Sequence, residues 1–133
     1  MNCKHLLIIA MALLAACSGM TGEQKAAEEA RDYYTLLTDG ERDVDGFLQG
    51  RDGYDSLPAD YQRQLKDATE MFLRDIEKRH RGLTTVTLSD NEPRRDSTLG
   101  IVYTFVLLGY ADSTAEEIVV PMVERSGGWK MKN

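Results

Sequence analysis

The sequence predicts an α+β domain, with N-terminal helices packed on a curved antiparallel four-stranded sheet. Two observations carry this. Apolar residues recur at helical spacing between Thr21 and His80, and after Gly82 the period changes to two. Helices grouped ahead of a strand meander build a helix layer on one face of a sheet, whereas a parallel α/β fold alternates the two.

Thr21-Gly22-Glu23-Gln24 fits a capping box, with Gln24 three residues after the cap. Ala26, Ala30, Tyr33 and Leu37 follow on one face, and Asp39-Gly40 predicts the stop, so the first helix is expected over 22–39. Asp43 caps a short second helix that turns Val44, Phe47 and Leu48 inward, to about Gly50. Residues 50–57 are turn-rich and read as a loop. Pro58 suits the first turn of the third helix, expected over 58–80, with Tyr61, Leu65, Ala68, Phe72 and Ile76 as its apolar stripe and Gly82 as its stop.

Leu83 to Leu88 alternates and is β-branched, which reads as a strand. Ser89 to Ser97 is a polar turn. Leu99 to Tyr110 is a long strand with Ile101, Tyr103, Phe105 and Leu107 on one face and Val102, Thr104, Val106 and Leu108 on the other, both apolar enough to expect cover on each side. Ala111 to Thr114 turns the chain. Ile118 to Val123 is a third strand, whose Pro121 points to an edge or a bulge. Ser126-Gly127-Gly128 is a tight turn, and Trp129 to Lys132 is the last strand, with Trp129 and Met131 on one face.

The segment ahead of Thr21 has another character. Lys4 supplies positive charge, and Leu6 to Ala16 carries no polar side chain. That run falls short of the ~20 residues a membrane-spanning helix needs, and it matches the apolar core of a secretion signal. It ends Leu14-Ala15-Ala16-Cys17-Ser18-Gly19. Leu-Ala-Ala-Cys resembles a bacterial lipobox. The resemblance implies cleavage between Ala16 and Cys17, a diacylglyceryl group on the Cys17 sulfur, and acyl chains of the palmitate type. Two or three chains on one residue make a durable anchor, where one chain holds weakly. The expected organisation is a signal peptide at 1–16, a lipidated tether at 17–22 and the α+β domain at 23–133. Ser18 in place of Asp, by resemblance to the enterobacterial sorting rule, implies the outer membrane, facing the periplasm.

Composition excludes several classes. The net charge of the whole chain is -6, and the signal would carry away only Lys4 and no acid. Nucleic-acid binding through phosphates asks for a basic face. The basic cluster, Arg74 to Arg81, ends a helix, where Lys78, Arg79 and His80 complement the dipole. The chain has two cysteines: Cys3 leaves with the signal and Cys17 is consumed by lipid, so no disulfide, thiol catalyst or Cys-based metal site is expected.

Two patterns invite chemistry. Glu41, Asp43, Asp45 and Asp52 sit at positions one, three, five and twelve of a calcium-loop register, with Gly46 at six. Both ends depart from the pattern, since Glu41 replaces a short Asp and Asp52 a bidentate Glu. The more ordinary reading is an acidic turn capping the second helix, and no cofactor is expected. The opening helix with Tyr33-Tyr34 and Leu36-Leu37, then Asp39-Gly40 and Phe47-Leu48, the long helix ending at Gly82, and the closing strands Ile118 to Glu124 and Gly127-Gly128-Trp129-Lys130-Met131 together resemble the nuclear transport factor 2-like superfamily. A cystatin-like helix-on-sheet domain has a similar pattern. The resemblance implies a sheet curled into a cone. In its enzymes, a carboxylate or His base and a Tyr or Asp donor stand inside that cone, and no such set interrupts the long strand here.

The reading that follows is an envelope-anchored, noncatalytic domain binding a small molecule, peptide or protein, with the membrane as partner through Cys17. The alternatives are a small isomerase or lyase using the cone, and a homodimer pairing the sheet's outer face through Thr84, Thr104, Val106 and Val119.

Overall fold

In the computed structural model, residues 20–132 are described. Helices α1 (Gly22–Thr35), α2 (Val44–Gln49) and α3 (Ala59–His80) precede strands β1 (Leu83–Leu88), β2 (Arg94–Asp96), β3 (Ile101–Tyr110), β4 (Ala115–Arg125) and β5 (Gly128–Met131), with a 3₁₀ turn at Tyr54–Ser56. The sheet is antiparallel in the order β1-β3-β4-β5, and β2 pairs with β3 beyond the end of β1. The predicted α+β class holds, with five strands rather than four. The polar stretch Ser89–Ser97, read as a turn, contains β2: Arg94 opposes Tyr103 and Asp96 opposes Ile101.

The capping box forms as the sequence predicts. The Thr21 hydroxyl accepts from Gln24 N, and the Gln24 amide oxygen accepts from Thr21 N, each at 3.1 Å. Thr21 and Gly22, assigned to the tether, are thus the cap and first residue of α1. The helix ends at Thr35, four residues before the expected stop. The Thr38 hydroxyl donates to Thr35 O at 2.8 Å and Asp39 N donates to Leu83 O at 2.8 Å, so the chain leaves the axis to bury Leu37 and join the start of β1. Arg42, not Gly40, takes the left-handed conformation, with φ 51°.

Asp43 caps α2 as predicted, accepting from Gly46 N at 2.9 Å. On α3 the expected stripe meets the core at Leu65 and Ile76 but not along its whole length. Leu73 and Ile76 are buried, while Tyr61, Ala68 and Phe72 are exposed. The helix meets the core through Leu65, Leu73 and Ile76, a narrower face than the one periodicity marks. Arg81 supplies the left-handed cap, with φ 73°, ahead of Gly82.

β3 alternates from Val102 onward, while Ile101 at its start is also buried. Val102, Thr104, Val106, Leu108 and Tyr110 are buried, and all but Thr104 belong to the apolar core shared with Ala26 and Ala30 of α1 and with Met122 and Trp129. Tyr103, Phe105 and Leu107 on the outward face are half-buried, so cover on both sides is not what the strand has. Thr104 and Val106, proposed for an outer pairing face, are fully buried under α1; the Thr104 hydroxyl donates to Val120 O at 2.7 Å. Pro121 lies in β4 opposite Tyr103, and its carbonyl accepts from Lys132 N. Its missing N–H therefore faces the side where β5 has ended, beyond the last pair Met122–Met131. Gly50 and Asp52 bond to the Met131 backbone and cover the β5 edge.

Candidate functional site

Three alanines set the geometry of the site. Ala26, Ala27 and Ala30 let α1 approach the sheet closely, and Ala26 and Ala30 leave no free space. Ala27 stands beside Leu88, the last residue of β1, whose side chain remains 38% exposed although its partner Val106 is buried. A cleft of about 250 Å³ opens there, lined by Met20, Ala27, Leu88, Pro93 and Phe105, with Gln24, Glu28, Ser89 and Asn91 at its rim.

The rim is held in place. Gln24 is fixed by the capping box. The Asn91 amide donates to both carboxylate oxygens of Glu117 at 2.9 Å, and the Ser89 hydroxyl donates to the same carboxylate. Asn91 N also donates to Ser89 Oγ at 3.1 Å, so the loop after β1 is clamped to β4 across the sheet. The result is a preformed apolar notch with neutral and acidic groups around its mouth. Pockets that bury drug-sized ligands hold ~300–1,000 Å³, so this one fits a chain segment, a side chain or a fragment.

A larger hollow of about 420 Å³ adjoins it, walled by Thr21, Glu23, Gln24, Glu92, Pro93 and Arg95. Its guanidinium is already engaged: Arg95 Nε donates to Glu23 at 2.5 Å and lies 5.9 Å from the Trp129 ring centre. The Arg95 hydrogen bond holds the Glu23 carboxyl below its ordinary value. A ligand in this open, charged hollow must compete with water and with that ion pair, so the apolar notch is the better site. A third groove, about 210 Å³, runs between α1, α2 and α3 past Tyr34, Phe47, Leu65 and Phe72.

At the other end of β3 lies a polar cluster that the sequence reading missed. His80 Nδ1 is 2.9 Å from Asp112 Oδ2, and its ring stacks on Tyr110 at 4.2 Å. Hydrogen bonds from the Thr114 hydroxyl and from His80 lower the Asp112 carboxyl to about 2. The Tyr110 hydroxyl donates to Glu116 at 2.7 Å; burial, then that carboxylate, push it up to about 12. Glu116 is exposed, so this Tyr–carboxylate pair sits at the rim and not in an apolar chamber. A role for His80 beyond the helix dipole became visible only once β3 and β4 brought Asp112 to it.

The calcium-loop candidates are not brought together. Asp43 caps α2, Asp45 pairs with Lys66 at 3.3 Å, and Asp52 takes a two-pronged bond from Arg125 at 3.1 Å. Glu41 is exposed. Residues Val44–Gln49 are helical where a calcium loop would wrap its ion, and among the described residues no three His, Cys, Asp or Glu gather as a metal site. Ala16 and Cys17 lie outside the described residues. Among the described residues no helix is long and apolar enough to cross a membrane.

The residues of the notch were not singled out from the sequence. Leu88-Ser89-Asp90-Asn91 could have flagged a strand ending in a polar clamp, but nothing local pairs it with Ala27 or Glu117.

The architecture of helices followed by a curled antiparallel half-barrel is that of the nuclear transport factor 2-like fold. A solved protein from Campylobacter jejuni, described as a candidate NTF2-like transpeptidase, superposes with a TM-score of 0.60 over 80% of this chain and 95% of its own, at 11% sequence identity. The chain therefore has this fold, one that carries both enzymes and binding domains. No protein-family profile and no curated protein matches it.

Proposed function

We propose that this chain is an envelope lipoprotein, anchored through acylated Cys17 after removal of residues 1–16, and that its domain binds a small apolar group without catalysing a reaction. The observation that carries the binding role is the notch beside Ala27: preformed, apolar-floored, and bordered by an alanine that is buried yet lies outside the core cluster holding Ala26 and Ala30. The lipobox supports the address, and Ser18, by resemblance to the enterobacterial sorting rule, favours the outer membrane facing the periplasm.

The enzyme alternative has less support. Among the described residues no Asp, Glu or His is buried; the buried Thr38 and Thr104 hydroxyls bond to backbone carbonyls, and the Tyr110 hydroxyl reaches out to Glu116. An acid–base pair of the isomerase kind needs a carboxylate in an apolar pocket that shifts its pKa into the working range. Glu116 beside Tyr110 is solvent-exposed.

Native mass spectrometry of the protein taken from its own membrane extract tests the binding role, with Ala27→Leu alongside. A non-covalent adduct on the native chain that the variant loses supports it. Identical spectra contradict it. A homodimer is a second reading, with a corrected surface: Tyr103, Phe105, Leu107, Pro121 and the 53%-exposed Val119 form the outward face of β3 and β4. An apolar sheet face of this kind marks an interaction site. Sedimentation reads it directly, and a strict monomer at high concentration refutes it.

A further inference from the structure

We infer that the end of the domain carrying the start of α1 and the β2–β3 hairpin docks on the phospholipid surface, with Leu99 immersed below the headgroups. The inference rests on the anchored reading above and adds an orientation and a contact surface to it.

The tether is short. Only Ser18 and Gly19 separate Cys17 from Met20, and Thr21 already caps α1. A fully extended chain spans at most ~3.3–3.6 Å per residue, so the three steps from Cys17 to Met20 reach roughly 11 Å. An acylated sulfur at the bilayer boundary therefore keeps the start of α1 at headgroup depth, and the surface beside it must be compatible with lipid.

What lies beside it is apolar at the points that protrude. Arg95 of β2 pairs with Glu23 in the first turn of α1, which fixes the β2–β3 hairpin to that end of the domain. Leu99 is at the hairpin tip and is 60% exposed. Its backbone is locked: the Asp96 carboxylate accepts from Thr98 N at 3.0 Å and from Leu99 N at 3.2 Å, Gly100 N donates to Asp96 O at 2.9 Å, and Gly100 holds φ 67°. A rigid turn that presents a leucine to water gains nothing from it in the domain alone. Met20, beside the tether, is itself 39% exposed and adds a second apolar side chain at this end of α1.

The charges at this end fit a layer of mixed-sign headgroups. Glu23 is neutralised by Arg95, and Arg125 by Asp52. Exposed Arg94, at the start of β2 opposite Tyr103, offers a partner for lipid phosphate, while Asp90 and Glu92, also exposed, limit attraction to strongly anionic surfaces. The opposite end offers a built-in ruler. β3 runs ten residues from Ile101 to Tyr110, roughly 30 Å at ~3.3 Å per residue, and ends in the exposed turn at Ala111. Leu99 in the lipid places Ala111 well out in the aqueous phase.

The test uses the acylated full chain reconstituted in phosphatidylcholine vesicles whose acyl chains are brominated, which quenches tryptophan at membrane depth. Trp129 is 3% exposed and serves as a constant background. The tryptophan of Leu99→Trp is expected to be quenched several-fold more than that of Ala111→Trp, with a blue-shifted emission. Equal quenching at the two positions, on a chain whose intact mass shows the lipid, overturns the docking and leaves the anchor standing. An intact mass without lipid removes the anchor, and the docking falls with it.

Discussion

Adjacent alanines on α1 are expected to respond to the same substitution with opposite sign. Ala27→Leu adds three carbons at the wall of a 250 Å³ notch. At ~0.8 kcal/mol per buried methylene the full gain is ~2.4 kcal/mol, and because the notch is open on one side about 1 kcal/mol is the working figure. Ala26→Leu adds the same carbons at a position with no exposure, inside the cluster formed with Val106, Leu108 and Met122, where overpacking costs ~1–3 kcal/mol. Helix propensity is nearly the same for both changes and cancels between them. For a domain of about 100 residues 1 kcal/mol moves Tm by ~4–8 °C, so the two variants should straddle the native protein by a margin that thermal unfolding resolves easily. Ala27→Leu should also displace whatever the notch holds. If Ala27→Leu destabilises as much as Ala26→Leu, the notch is not a preformed space and the binding role loses its support.

Other consequences follow from single contacts. In Gly50→Ala the new Cβ would lie 2.5 Å from Tyr33 Cδ1, and the backbone there, at φ -76°, accepts alanine; the ~1–3 kcal/mol cost is steric and should shrink in a Tyr33→Ala background, as a double-mutant cycle by denaturant unfolding will show. Tyr33→Phe removes the 2.8 Å bond from the tyrosine hydroxyl to Trp129 O, which closes α1 onto β5, and should cost about 1 kcal/mol in the same assay. Asp112 titrates near 2 instead of 3.8, so its contribution to stability is complete above about pH 5 and is lost as pH falls through its folded value. Thr114→Ala should raise that midpoint, read by carboxyl NMR titration. Tyr110 titrates near 12 instead of 10, which places its contribution below pH 10 and its loss between those two values, visible as a steepening of alkaline unfolding that Tyr110→Phe abolishes.

The architecture was legible because local rules dominate it. The cap at Thr21, the short helix after Asp43, the left-handed turn at Ser126-Gly127 and the alternation in β3 are each decided within a few residues. What went astray was decided by partners far along the chain. α1 stops early because Asp39 N finds Leu83 O, and the stripe on α3 is only partly right because Leu73 joins the predicted Leu65 and Ile76 at the core while Tyr61, Ala68 and Phe72 do not. The sequence groups Thr104 and Val106 correctly with Val102 and Leu108, yet the outer face expected of them is the inner one, because both faces of β3 are apolar and only packing against α1 decides which one is inside. The notch has the same origin: it is an interval between Ala27 and Leu88, and an interval leaves no mark on either residue alone. The His80–Asp112 contact likewise joins a helix end to a turn thirty-two positions later.

The central claim is that Cys17 is the lipidated first residue of the working protein. Intact mass of the chain extracted from its native membrane measures this in one experiment. A species that begins at Cys17 and carries the diacylglyceryl mass, with or without a further acyl group, is the predicted result. A chain that retains Met1, or begins at Cys17 with a bare thiol, would contradict it.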